Sequence, residues 1–161
     1  MRVVSDADVL IHLSKLEKLS LLKSLYNEVA IPEYVKAEIL IKGDAELQKA
    51  FNSFLKVSAT PKDKADDIAK KHNIHSGEAH VKALGEKLKA TLFLSTERKV
   101  RKAAKEEGFA VAGTIGIILR AVKIGLIDKS EATYLLGLMK TGDFRIHPDI
   151  LQKAINAIKE I

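Results

Sequence analysis

Short apolar runs alternate with longer segments of helical periodicity along the whole chain. From Val9 onward, leucines recur every three or four residues, which is the spacing of one helical face. These leucines are Leu10, Leu13, Leu16, Leu19, Leu21, Leu22 and Leu25. The apolar runs predict short strands at residues 2–5, 28–31, 56–59, 91–95 and 109–112.

Further helices are marked by their periodicity and by the residues at their ends. Pro32 suits the first turn of a helix, and Ser76 and Ser130 suit N-cap positions. Gly108 and Gly125 suit the position just after a helix. The resulting helices are predicted at residues 34–41, 45–55, 62–71, 77–88, 97–107, 114–124, 131–139 and 148–161.

Strands separated by helices of this length predict right-handed crossovers and a mainly parallel sheet. We therefore expect an α/β fold, a three-layer α/β/α sandwich with helices on both faces of a central sheet. The chain contains no repeat, low-complexity tract or linker, so we interpret residues 1–161 as a single domain.

Composition narrows the class of protein. The chain has no cysteine, which excludes disulfides and thiolate-bound zinc and fits a reducing cytoplasm. It has no signal-like segment and no apolar run near the roughly 20 residues of a membrane span, so we expect a soluble cytoplasmic protein. The net charge of +6 favours a polyanionic partner such as RNA.

Four acidic residues occupy positions from which they could share one site. Asp6 follows the first predicted strand and Glu97 follows the strand at 91–95. Glu38 lies in the first helix after the second predicted strand, and Glu78 lies in the first turn of its own helix. Because chemistry in parallel α/β folds collects beyond the carboxyl ends of the strands, these acids are candidate ligands of Mg²⁺ or Mn²⁺.

Each of these acids also has a purely structural interpretation. Asp6 could begin the helix that follows it, and Glu38 could be a solvated helix residue. Glu78 and Glu97 could each favour the positive end of a helix dipole. Their order and placement, more than any one of them, indicate a site.

Several ordered segments of this sequence resemble PIN domains. The likeness begins with the opening run VVSDADVLIHL at residues 3–13, in which an Asp ends the first strand. It continues through EVAIP at 28–32 with Glu38 six residues on, SGEA at 76–79, LFLSTERKVR at 92–101, GTIGIILR at 113–120, and the tail at 144–151. Most of the chain is covered, notably by a subfamily of predicted nucleic-acid-binding PIN proteins related to VapC toxins.

The resemblance implies roles for the same acids. Asp6 corresponds to the first metal-binding acid, Glu38 to the second and Glu78 to the third, while Glu97 corresponds to the acid after the strand-end Thr-x-Asp pattern. It also implies a Mg²⁺- or Mn²⁺-dependent endoribonuclease, often a homodimer and often held in check by a small antitoxin protein. Asp8 departs from the usual Ser, Asn or Thr. It either adds charge to the site or, in the interpretation we favour, caps the helix.

Basic residues follow Glu97 along its helix, with spacings of three or four that can place several on one face. Such a face could hold an RNA backbone, or it could be a solvated helix surface. The residues are Arg98, Lys99, Arg101, Lys102 and Lys105, with Arg120 and Lys123 as further candidates.

Histidine spacing does not favour zinc. The chain lacks a His-x-x-x-His or His-Glu-x-x-His pair. His75 and His80 flank Glu78, and we expect them at the surface.

Two other functions stay open. One is a catalytically silent PIN-like module that binds RNA or protein. The other is a haloacid-dehalogenase-like phosphatase, because Asp6 and Asp8 follow a strand, although its second acidic pair would have to be Asp66-Asp67 in a predicted helix.

Overall fold

A five-stranded, entirely parallel sheet forms the centre of the computed structural model, which describes residues 2–60 and 62–161. Its strand order is β3-β2-β1-β4-β5. The chain therefore adds β2 and β3 on one side of β1, crosses back, and adds β4 and β5 on the other side. The strands are β1 (Val3–Ser5), β2 (Val29–Pro32), β3 (Leu55–Ser58), β4 (Leu92–Leu94) and β5 (Ala110–Ala112).

Helices connect these strands and continue after β5. Two short 3-10 turns, Ala50–Asn52 and Gly142–Phe144, accompany them. The helices are α1 (Ala7–Lys15), α2 (Ser20–Tyr26), α3 (Glu33–Lys42), α4 (Ala45–Lys49), α5 (Lys62–His72), α6 (Ser76–Leu88), α7 (Arg98–Glu106), α8 (Thr114–Lys123), α9 (Lys129–Leu138) and α10 (Pro148–Lys159).

The central strands β1 and β4 are covered on both faces, which explains why their sequences are continuous apolar runs. Val3 and Val4 of β1 and Phe93 and Leu94 of β4 are all buried. Helix α6 packs on β1 and β2, and α7 packs on β4 and β5. Because the direction of the crossovers reverses at β1, right-handed connections place helices on opposite faces. The predicted three-layer α/β/α class is confirmed.

The chain divides into two compact units, residues 1–113 and 114–161. The first contains the sheet and α1–α7. The second contains α8, α9 and α10, which pack on one another. The interpretation of residues 1–161 as a single domain stays a prediction.

Two predicted helices are divided in the structure. The leucine-rich helix from Val9 breaks between α1 and α2, where Glu17 has a φ of +57°. The helix predicted at residues 45–55 was wrong in its second half, since α4 ends at Lys49 and Leu55 belongs to β3. Leu55 pairs with Val29 and is buried, so a long-range sheet contact overrides the helical pattern.

Several helix starts also differ from the prediction. Pro32 ends β2 and precedes α3 instead of lying in its first turn. Asp128, not Ser130, caps α9 by accepting the Glu131 N–H at 2.7 Å. Helix α6 begins at Ser76, after His75, and the side chain predicted to cap it, that of Ser76, lies outside the described residues.

The predicted helix ends are confirmed at both glycines. Gly108 and Gly125 have φ values of +94° and +79°, a backbone conformation that would be strained in a residue with a side chain.

Across residues 2–60 and 62–161, none of the helices has the length and apolar character that a bilayer span requires.

An ionic cluster joins α5 to the end of α7. Glu107 accepts hydrogen bonds from His72 at 2.7 Å and Lys71 at 3.0 Å, and His72 also lies 3.2 Å from Glu106. The hydrogen bond to His72, followed by that from Lys71, lowers the pKa of Glu107 from 4.5 to about 2 although burial opposes the change. The side chain is only 17% exposed, so these contacts are partly shielded from water.

We expect Glu107→Gln to reduce the free energy of unfolding by about 1–2 kcal/mol at neutral pH. The folded pKa lies below the ordinary value of 4.5, so this stabilisation is complete above pH 4.5 and disappears as the pH falls toward about 2. Urea denaturation across this pH range should show the wild-type and variant curves converging at low pH. Glu46→Gln is the control, because its pair with Lys49 is 75% exposed on both sides, and it should change little at any pH.

Close packing of α6 on the sheet depends on Gly85. A Cβ at this position would lie 2.7 Å from two ring carbons of Phe109 and 3.3 Å from Val4. Phe109 in turn packs edge-on against the fully buried Phe93, at 5.9 Å between ring centroids, so its ring has little room to move.

Gly85→Ala should therefore destabilise the protein by about 1–2 kcal/mol, despite the better helix propensity of alanine. Gly137→Ala in α9 is the matched control, because in the described part of the chain its Cβ meets nothing within 4 Å. That variant should gain about 0.5–1 kcal/mol from propensity alone. Equal shifts of the two variants in urea denaturation would contradict the packing argument.

Candidate active site

The carboxyl ends of β1 and β4 meet at the centre of the sheet, where the strand order reverses. Ser5 of β1 pairs with Leu94 of β4, and the Asp6 N–H continues the ladder with a 3.0 Å hydrogen bond to the Leu94 carbonyl. Asp6 follows β1 directly, and Glu97 lies three residues past Leu94. This is the point at which open α/β sheets form their binding crevice.

A cleft of about 480 Å³ opens beside the carboxyl end of β1, and its volume is within the usual range of ligand sites. Acidic side chains from three helices line it: Asp6 and Asp8 at the start of α1, Glu38 of α3, and Glu78 in the first turn of α6. The structure thus brings together residues separated by more than 70 positions in the sequence. The remaining lining residues are Ala7, Tyr34, Val35, Ala37, Ile41, Lys42, His75 and Gly77.

Asp6 is the most buried of these acids, with 7% of its surface exposed. It is the N-cap of α1 and accepts the Val9 N–H at 3.2 Å. Burial is the main cause that raises its pKa from 3.8 to about 7, and the charges of Asp8 and Glu78 add to it. The hydrogen bonds from Ser95 and Val9 act in the opposite direction and favour the carboxylate.

Ser95 connects the two strand ends and was missed in the sequence analysis, where it was only the last residue of a strand. Its fully buried hydroxyl hydrogen-bonds the Asp6 carboxylate and accepts the Glu97 N–H at 3.2 Å. The sequence did contain a signal for this role, because Ser95 is a polar residue at the end of an apolar strand and lies two positions before Glu97.

Glu97 lies beside the acidic group but does not line the cleft. It is exposed as a whole and precedes α7, instead of lying in the first turn as predicted. Partial burial of its carboxyl is the largest cause that raises its pKa. The next causes are the charges of Glu78 and Asp8, and that of Glu38 contributes less, which places Glu97 within electrostatic reach of all three acids.

Two other acids have positions that the sequence did not specify. Asp8 lies within the first turn of α1, so our preferred interpretation of it as the cap was wrong, and it adds charge to the cleft instead. Glu38 accepts a hydrogen bond from Lys42 at 3.2 Å, one turn later on α3. This pair gives one carboxylate a counter-charge from the protein itself.

A comparison with protein-family models adds an independent finding. The model described as DUF3368: PIN domain matches residues 2–160. The chain belongs to the PIN-domain family. PIN domains are generally nucleases, so the family supports a hydrolase that acts on nucleic acid. No curated protein matches the chain. The relation to the VapC-like subfamily stays a prediction.

PIN nucleases usually use divalent metals, and the donor chemistry of this cleft fits such an ion. Its acids offer only carboxylate oxygens, which suit Mg²⁺ or Mn²⁺, and the pKa of the Asp6 carboxyl is raised mainly because this group is buried, with a smaller contribution from the charges of Asp8 and Glu78. However, the described residues include no group of three or more His, Asp or Glu side chains placed to hold an ion. The cleft gathers the acids without forming a closed coordination cage.

The basic residues of α7 begin directly after Glu97. Val100, Ala103 and Ala104 form the buried side of α7. Arg101 is half-buried, with its guanidinium against the backbone of Gly113. The other four are exposed on the remaining surface: Arg98, Lys99, Lys102 and Lys105.

The histidines have different environments, and of the two that we expected at the surface, His75 is exposed whereas His80 is half-buried. His72 is bound to Glu106 and Glu107, away from the cleft-lining residues. His75 is exposed and lines the cleft. His80 is half-buried and stacks on the ring of Tyr34, a residue to which the sequence analysis gave no role at the site.

We expect Ser95→Ala to raise the pKa of Asp6 above its value of about 7, by roughly one pH unit, because a hydrogen bond that favours the carboxylate is removed. NMR titration of the carboxyl carbon in metal-free buffer measures this pKa. Ser5→Ala is the matched control, since this equally buried hydroxyl donates to the main-chain carbonyl of Asp6 and not to its carboxylate. An unchanged pKa in Ser95→Ala would contradict the role assigned to Ser95.

Proposed function

We propose that this PIN domain is a metal-dependent endoribonuclease that hydrolyses phosphodiester bonds in RNA. The observation that carries the proposal is the convergence of Asp6, Glu38 and Glu78 on one cleft at the carboxyl end of β1. Like charges gathered at a partly buried site repel one another unless a cation compensates them. The family to which the chain belongs supplies the nuclease chemistry for such a site.

Asp6, Glu38, Glu78 and Glu97 would hold Mg²⁺ or Mn²⁺, with Asp8 adding negative charge at the entrance. When bound, such an ion lowers the pKa of water and stabilises charge that develops at phosphorus. Asp6 is already fixed by Ser95 and Val9, so its carboxylate needs little reorganisation. Glu38 would have to leave Lys42, which is a small cost because the lysine is 63% exposed.

The basic surface of α7 is the proposed contact for the RNA backbone. Arg98, Lys99, Lys102 and Lys105 are exposed and begin one residue after Glu97, so phosphates bound there would pass close to the acids. Arg101 would contribute from the edge of this surface. Neutralising RNA phosphates in this way releases counterions, which makes binding sensitive to salt.

The biological setting that we propose rests on the resemblance and on composition. The VapC-like motifs support a toxin whose activity is blocked by a small antitoxin protein, and a homodimer as the assembled form. The complete absence of cysteine supports a cytoplasmic location.

A catalytically silent PIN module that binds RNA or protein is the second candidate. The observation in its favour is that, in residues 2–60 and 62–161, no ready-made group of metal ligands is present. Titration with Mn²⁺ followed by electron paramagnetic resonance separates the two, because a silent module should not bind the ion tightly. The phosphatase alternative has less support, since Asp66 and Asp67 lie within α5 and not after a strand.

Asp6→Asn should reduce RNA cleavage by at least about a hundredfold while the protein remains folded. Asparagine is as good an N-cap as aspartate, so the contact with Val9 can survive while the charge is lost. The assay incubates purified protein with mixed RNAs and Mn²⁺, then repeats the reaction with a chelator, which should stop it.

Asp44→Asn provides the control for this substitution. Asp44 also caps a helix, by accepting the Leu47 N–H at 2.9 Å, but it does not line the cleft. Cleavage by this variant should match the wild type at a temperature where both are folded. Full activity of Asp6→Asn would exclude the proposed site.

A further inference from the structure

Tyr34 places an aromatic ring at the edge of the acidic cleft. It lies in the first turn of α3, one helical turn before Glu38, and lines the same cleft as Asp6 and Glu78. Half of the residue, 51%, is exposed. The apolar side chains that form the core around the sheet are buried, whereas Tyr34 is exposed within the cleft.

The ring is held in place from one side by His80 of α6. The two rings are stacked, with 5.6 Å between centroids and 11° between their planes. His80 is itself fixed by a 2.6 Å hydrogen bond between its Nδ1 and the Thr60 hydroxyl. At this centroid distance His80 overlaps only part of one face of the tyrosine ring, and half of the residue stays exposed.

Gly77 allows the ring to approach α6 closely. A Cβ at this position would lie 2.8 Å and 3.0 Å from two carbons of the Tyr34 ring, so even alanine would displace it. Gly77 also precedes Glu78, one of the cleft acids. The missing side chain therefore places the aromatic ring and a candidate metal ligand side by side.

We propose that Tyr34 is a stacking platform for an unpaired nucleobase of single-stranded RNA, and that it sets the position of the nucleotide whose phosphate enters the cleft. The inference rests on the proposed function and defines its substrate class. Until a cation is bound, a cleft lined by carboxylates repels phosphates, so a neutral contact at its edge adds affinity that does not depend on charge. Aromatic rings supply that contact to any base, because every base has a flat face.

The platform has two consequences for recognition. A base in a duplex is already stacked and paired on both sides, so the platform selects single-stranded regions such as loops and ends. Stacking tolerates different bases, so Tyr34 determines where the chain is held and not which sequence is held. His80 and Gly77 are positioning residues, which act through the orientation of the tyrosine ring.

The experiment uses short single-stranded RNAs that carry 2-aminopurine at successive positions. Fluorescence of this base falls when it stacks, and anisotropy of an end label gives the affinity in the same sample. Binding is measured in chelator and again in Ca²⁺, and a gel verifies that the RNA is intact. The wild type should quench the probe most strongly at a single position.

Variants of Tyr34 test the role of the ring. Tyr34→Phe should retain both quenching and affinity, whereas Tyr34→Ala should lose the quenching and weaken binding by about tenfold or more. Leu40→Ala is the matched control, because Leu40 lies on the same helix and is 52% exposed but does not line the cleft. It should bind like the wild type. Circular dichroism and thermal melting establish that each variant is folded.

A double-mutant cycle with Gly77→Ala tests the positioning. In the wild-type background this change should weaken binding several-fold, because the ring is displaced. In the Tyr34→Ala background it should have almost no effect, because the atoms that it meets are gone. Equal losses in the two backgrounds would overturn the positioning role of Gly77.

The platform is overturned if Tyr34→Ala binds and quenches like the wild type, or if the folded wild type binds no RNA. These results are separable from a failure of the proposed nuclease. Position-specific quenching without cleavage in Mn²⁺ would keep the platform and reject the endoribonuclease. If Tyr34→Ala cleaves RNA with unchanged kcat and KM, the endoribonuclease is kept and the stacking platform is rejected.

Discussion

The parallel pairing of β1 with β4 is the constraint on which the rest of the site depends. Their register, Ser5 opposite Leu94, extends through the Asp6 N–H to the Leu94 carbonyl and brings Ser95 against the Asp6 carboxyl. A shift of one residue would turn every side chain of β1 to the opposite face of the sheet. Such a shift would also separate Asp6 from Ser95 and from the Leu94 carbonyl, so the register of these two strands fixes the position of the catalytic candidates.

Elements with strong local patterns were predictable from the sequence. All strands of the sheet were found within one or two residues, and the clearest of them, β1 and β4, are short apolar runs between helical segments because they are buried on both faces. The meeting of Asp6, Glu38 and Glu78 could be expected from a general rule, since the carboxyl ends of parallel strands lie at one edge of the sheet. The likeness to PIN domains added the order of the acids, and the family match confirms the family alone.

Features that arise from contacts between distant residues were not predictable. The prediction of a helix that reaches Leu55 was wrong, because pairing with Val29 determines the conformation of that residue. Asp6, not Asp8, caps α1, and the difference between these neighbouring acids depends on the backbone direction where β1 ends. Tyr34 stacks on His80, which lies 46 positions later in the sequence, and no periodicity or motif predicts such a pair.

Burial of Asp6 has a thermodynamic consequence for the whole chain. A carboxyl whose pKa is raised to about 7 opposes folding when it is ionised, so the folded state binds protons more readily than the unfolded chain does. Any positive species that settles against this carboxylate relieves the same penalty. Binding of a cation in the cleft is therefore linked to conformational stability. The melting temperature of the protein should depend on which ions the surrounding solution contains.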